Sequence, residues 1–348
     1  MRPIPVSLLA ICGLVPMVGA AHHTYAEYDQ QKTVEIEGTL VKAAWQNPHL
    51  SLKVQVPGKG GQVVTWNIEG SALNALSRMG TRLDDYKVGD KVKAAGWPSK
   101  RATDRMFLTN LLSAKGQELV TWRYSKPRWT KVASGFGTNT QRFAGGTPST
   151  DTSLFRVWST QLGVAGAAFD QSVTARAADG SALPLTDKAR KAIAAAQAKS
   201  SNLAGCSQKG MPSIMGTPTP IELIDKGDTI QLRVEEYDTI RNIHMRGGSA
   251  AAPPLTPLGY STGHWDGKTL VVDTSRISWP VGSYGVPQSP AVRLIERFTP
   301  SADGSRLDYA IQVTDPEMLT RPVEQKSAWV WRPGEKLMPF NCVADYQK

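Results

Sequence analysis

The chain has 348 residues, with 40 Lys and Arg against 30 Asp and Glu for a formal net charge of +10. That length accommodates two domains with ordinary cores. The basic residues are dispersed and no run or stacking-aromatic motif accompanies them, which argues against nucleic acid as a partner and leaves an anionic envelope surface or an acidic small molecule open.

Met1 to Ala21 reads as a cleaved export signal: one positive charge at Arg2, an apolar stretch from Ile4 to Val18, then small residues at Gly19, Ala20 and Ala21. The stretch is too short for a membrane span, nothing later replaces it, and Ile11 ahead of Cys12 does not suit lipid anchoring. The expectation is a periplasmic or secreted protein without a transmembrane anchor. Cleavage after Ala20 puts His23 third behind a free amine, a chelate that suits square-planar Cu(II). Cleavage after Ala21 makes His22 the first residue and calls for a second imidazole, for which His49 is the first choice. His22, His23 and His49 are therefore the candidate copper ligands, against the alternative of polar residues at a frayed terminus.

Residues 22–119 alternate apolar and polar side chains over Val34–Val41, Leu50–Val56, Val63–Glu69, Lys91–Gly96 and Met106–Ser113. A short helix follows the third strand, with Ser71 as its expected cap and Gly80 as its stop. Three strands, a helix and two strands predict a small OB-like barrel. His49, with Trp45, Trp66 and Glu69, is expected at one of its mouths. Residues 120–153 include a stretch rich in Gly, Thr and Ser from Val132 onward and read as a linker.

The C-terminal domain, 154–348, carries one alanine-rich helix beginning at Thr186 and expected to pack across one end of a barrel. After it come strands at Thr229–Glu235, Leu270–Asp273, Val292–Phe298, Arg306–Val313 and Ser327–Trp331. Turns at Asp266-Gly267 and Asp303-Gly304 predict positive φ at both central residues. The fold class is therefore mainly β, an OB-like barrel followed by an antiparallel barrel or curled sheet. With Cys12 lost in the signal, Cys206 and Cys342 remain as an even pair, and an oxidising compartment favours a disulfide between them.

Nucleophile-elbow, phosphate-loop and dinucleotide motifs are missing. Inward polar residues of a C-terminal barrel would serve a ligand: Arg241, Tyr260, Trp265, Arg297 and Asp308 as binding residues, with His244, His264 and Glu296 as an acid–base set. The alternative for the interior is an Arg241–Glu296 ion pair in a hydrogen-bonded core.

The N-terminal motifs Ala21-His22-His23, Gly38-Thr39, Asn47-Pro48-His49 and Trp66-Asn67-Ile68-Glu69 resemble an exported bacterial family of unknown function over about Ala21 to Leu119. The C-terminal half is similar to a module of uncharacterised secreted proteobacterial proteins. The residues that carry this likeness are Cys206, Gly210-Met211-Pro212, Met215, Arg241-Asn242-Ile243-His244, Gly259-Tyr260-Ser261-Thr262-Gly263-His264-Trp265 and Asp315-Pro316. That module commonly has Arg in place of His264, and neither resemblance implies an activity. The expected function is binding of a small ligand in the C-terminal barrel, with copper at the mature N-terminus. The alternatives are a cofactor-independent lyase, isomerase or hydrolase acting on a small, even aromatic, substrate, and a copper-dependent oxidase.

Overall fold

The computed structural model describes residues 27–136, 145–160, 182–198, 206–246, 253–280 and 286–344. His22 and His23 lie outside them. The chain is mainly β, with a closed five-strand barrel followed by a nearly closed nine-strand barrel.

The first barrel uses β1 (Val34–Ala44), β2 (Ser51–Pro57), β3 (Val63–Glu69), β4 (Lys91–Pro98) and β5 (Arg105–Ser113), with α1 (Leu73–Arg78) between β3 and β4. The strand order is β3-β2-β1-β4-β5, and β5 closes on β3 in parallel through Asn67–Arg105, Ile68–Met106 and Glu69–Phe107. Strand alternation turns Leu40, Leu52, Val54, Ile68, Met106 and Leu108 into one buried cluster. Gly38 of the Gly-Thr motif sits where β1 crosses β2 closely: a Cβ there would lie 2.1 Å from the Gln55 carbonyl oxygen.

The start of α1 departs from expectation. Ala72, not Ser71, occupies the cap position without a side-chain bond, and the Ser71 hydroxyl donates to Thr121 O. The free amides of the first turn are met from the loop between β1 and β2 instead. Gln46 O accepts from Leu73 N at 3.2 Å, and Asn47 Oδ1 accepts from Asn74 N at 3.1 Å.

Two short strands, β6 (Glu118–Val120) and β7 (Ala133–Gly135), extend this sheet into the segment expected to be a linker. Between them the buried Glu118 carboxylate accepts from the backbone amides of Arg128, Trp129 and Thr130 at 2.7, 3.0 and 3.1 Å. That carboxylate holds the connection against the barrel.

The second barrel runs from β8 (Val157–Trp158) through β9 (Ile221–Asp225), β10 (Thr229–Val234), β11 (Thr239–His244), β12 (Tyr260–Asp266), β13 (Thr269–Ser275), β14 (Arg293–Pro300), β15 (Arg306–Thr314) and β16 (Val323–Val330). Neighbours pair in chain order, all antiparallel except β11–β12, and a Ser159–Val330 bridge joins the two edges. Helix α2 (Asp187–Ala198) begins behind Thr186, whose Oγ1 accepts from Ala189 N at 3.1 Å while donating to Glu317 O at 2.8 Å. Ala189 and Ile193 seat the helix on the barrel core. In the Asp-Gly turns only Gly267 and Gly304 take positive φ; the aspartates do not. Instead Asp303 accepts from Ser301 Oγ, Ser305 N and Ser305 Oγ, bonds that hold its carboxyl down to about 2.

Cys206 and Cys342 form the disulfide. It brings the chain's last turns back between the barrels, where Asn47 bridges to Cys342. Among the described residues no helix is long and apolar enough to cross a membrane.

Candidate functional site

The polar residues expected inside the second barrel divide by strand parity. Arg241 and Ile243 of β11, Ser261 of β12, Thr274 of β13, Leu294, Glu296 and Phe298 of β14, and Tyr309 of β15 are buried. Arg241 Nη1 donates to Glu296 Oε1 at 3.0 Å and its Nη2 to Glu296 Oε2, while Nε donates to Ser261 Oγ at 3.0 Å and Nη2 to Thr274 Oγ1 at 2.7 Å. Tyr309 donates to Glu296 Oε1 at 2.8 Å. Burial opposes the Arg241 charge, but the Glu296 charge and hydrogen bonds outweigh it and raise the arginine. Burial, then the Glu296 charge, raises the Tyr309 phenol well above its ordinary range. This layer is a hydrogen-bonded ion pair whose Tyr309 ring packs against those of Phe298 and Trp329.

The acid–base set of His244, His264 and Glu296 is not assembled. His244 is three residues from the inward Arg241, and His264 three from the inward Ser261, so neither ring joins the fully buried Glu296. His244 stacks on Tyr260, ring centroids 4.8 Å apart. Arg297 pairs with Asp266 at 3.1 Å and Asp308 with Arg306 at 2.8 Å, both pairs on the surface. The five expected binding residues therefore do not converge.

What converges is a cleft at one end of the same barrel. The turn from β9 to β10 brings Asp225 and Gly227, the end of β11 brings Met245 and Arg246, and the end of β12 brings His264 and Trp265; Phe155 and Ile230 complete a space of about 340 Å³. Trp265 is 45% exposed, and Phe155 meets it edge-on with centroids 6.1 Å apart. Gly263 lets Met245 settle onto β12, since a Cβ there would be 2.8 Å from the Met245 sulfur. Arg246 lies at the rim, paired with Asp228 at 2.8 Å. This volume suits a small organic ligand. A second, apolar crevice beside Leu183, Val292 and Met318 offers about 30 Å³, room for water. The sequence reading reached His264 and Trp265 of the cleft and missed Phe155, Ile230, Met245 and Arg246. Position was the available signal, since His264 and Trp265 stand at the end of their strand beside the Asp266-Gly267 turn.

His49 stands at one pole of the first barrel in the β1–β2 loop, one of the loops through which OB-type barrels bind ligands. Its Nδ1 lies 3.0 Å from the Gly70 carbonyl oxygen, which accepts its hydrogen. Glu69 lies near it, and Tyr28, Glu27 and Arg105 act in turn on Glu69. Burial is the main cause that raises the Glu69 carboxyl, with Glu27 adding to it and His49 opposing it. Burial, then the Glu69 charge, raises Tyr28 as well. Glu27 is tied down by Ser99 Oγ at 3.1 Å and Arg105 at 3.4 Å. Among the described residues no three His, Cys, Asp or Glu side chains are placed to hold a metal ion.

Residues 11–106 match a family of unknown function, DUF6152. The match takes in most of the first barrel and stops at the start of β5. No curated protein and no solved structure matches the chain.

Proposed function

We propose that the chain is an exported binding protein that seats a small aromatic acid in the cleft at the mouth of its second barrel. The observation that carries this reading is the cleft itself, about 340 Å³ with Trp265 and Phe155 as aromatic walls and Arg246 and His264 as polar groups at the rim. An aromatic ring fits the first pair and a carboxylate the second. Export is supported by the leader sequence and by a disulfide suited to an oxidising compartment. The second barrel is read as a separate module joined to the family domain. Calorimetric titration with benzoate, cinnamate and naphthoate tests the proposal. Saturable one-site binding of at least one acid is expected, and no saturable binding by any of them overturns it.

A second reading, copper at the mature N-terminus, is favoured by the anchoring of Glu27. His22 and His23 precede it by five and four residues in the sequence, and Glu27 acts on the same Glu69 carboxyl that His49 acts on. Electron paramagnetic resonance of the Cu(II)-loaded mature protein should then lose a nitrogen coupling in His49→Ala, and an unchanged spectrum removes His49 from the site.

A further inference from the structure

The final residues lie between the barrels as a bonded layer. On the first barrel, Asn47 Nδ2 donates to Phe340 O at 2.5 Å, Asn47 O accepts from Val343 N at 2.9 Å, and Asn74 Nδ2 donates to Pro339 O at 3.2 Å. Arg78 reaches Glu335 at 2.7 Å and Lys336 O at 3.0 Å. On the second barrel, Met338 N donates to Glu235 Oε2 at 2.7 Å and Phe340 N to Asp238 Oδ1 at 3.1 Å. Tyr237 and Asp238 hold left-handed φ values of 58° and 49°, rarely adopted by residues other than glycine, and the Phe340 ring packs 4.9 Å from that of Tyr237. The barrels also touch directly, where Arg78 pairs with the fully buried Glu235.

One covalent link holds this layer in place. Cys342 lies six residues from the end and is bonded to Cys206, 136 residues earlier. Cys206 is exposed and Cys342 half-buried, so a thiolate can reach the bond from solvent. We propose that residues 335–343 are a redox-releasable strap, laid over a peptide seat on the first barrel made by Asn47, Asn74 and Arg78.

Release needs a dithiol reductant. Its thiolate attacks one sulfur and expels the other as thiolate; its second thiol then resolves the mixed disulfide, leaving Cys206 and Cys342 as thiols and the reductant as a cyclic disulfide. The disulfide keeps the tail at high effective concentration over its seat. Without it the segment keeps only its noncovalent bonds and frays more readily. Fraying removes the tail's bonds from the Asn47-Pro48-His49 loop, so the oxidation state of one exposed disulfide governs how firmly the His49 loop is held.

Hydrogen exchange read by mass spectrometry on the full chain, with and without dithiothreitol, tests this. Amides of residues 46–51, 237–240 and 338–343 should exchange about tenfold faster after reduction while β12 to β15 keep their protection. Cys342→Ser should reproduce the pattern without reductant. Unchanged exchange would mean that the noncovalent bonds hold the tail alone, and loss of protection throughout both barrels would make the disulfide a general staple. Either result overturns the strap.

Discussion

At the first barrel's pole burial holds the Glu69 carboxyl above the ordinary glutamate range. Its carboxyl is raised chiefly by burial, facing Tyr28, Glu27, His49 and Arg105. Below the ordinary glutamate range the folded and unfolded chains are both protonated there and the residue is neutral in the balance. As pH rises past that range, the unfolded carboxyl ionises while the folded one holds its proton, so folding is progressively penalised. Glu69→Gln removes the penalty. Its melting temperature should gain on the parent as pH rises through and above the ordinary glutamate range, and a constant gap there contradicts this account. Glu296 is buried with its partners Arg241, Thr274 and Tyr309 all in place. Glu296→Ala strands a buried guanidinium and should cost about 3–5 kcal/mol in denaturant unfolding. A cost under about 1 kcal/mol would mean that the ion pair is not a structural unit.

At the scale of elements, the short helix α1 owes its start to a loop distant in sequence. Asn47 accepts from Asn74 N, donates to Asn74 Oδ1 at 3.0 Å and donates to Phe340 O, so one side chain caps the helix and catches the tail. Asn47→Ala should cost about 2 kcal/mol, read by chemical denaturation, and a neutral change would show that water replaces these bonds. No local rule predicts such a cap, which is why Ser71 was the natural expectation. Strands were legible because alternation such as that of Arg293–Pro300 survives in the sequence. The parallel pairings β3–β5 and β11–β12 were not, because they join strands without a hairpin between them. The Arg241–Glu296 pair was legible as one of two readings of the barrel interior. Parity along β11 and β12 separates His244 and His264 from that pair, and counting it through would have removed the acid–base set. The cleft was legible only in His264 and Trp265, since Phe155 comes from a separate segment and Ile230 from another strand.

At the scale of the whole molecule, two barrels share one buried seam and each keeps its own core. The second is filled through its middle by the Arg241–Glu296 layer, so a ligand of more than water size is directed to its end. Calorimetric titration of the parent, Trp265→Ala and Tyr309→Phe with the aromatic acid that binds the parent most tightly tests this directly. The account predicts that Trp265→Ala weakens binding about tenfold or more while Tyr309→Phe, altered only inside the barrel, binds as the parent does. Equal binding by Trp265→Ala, or loss confined to Tyr309→Phe, would place the ligand elsewhere and contradict the central claim.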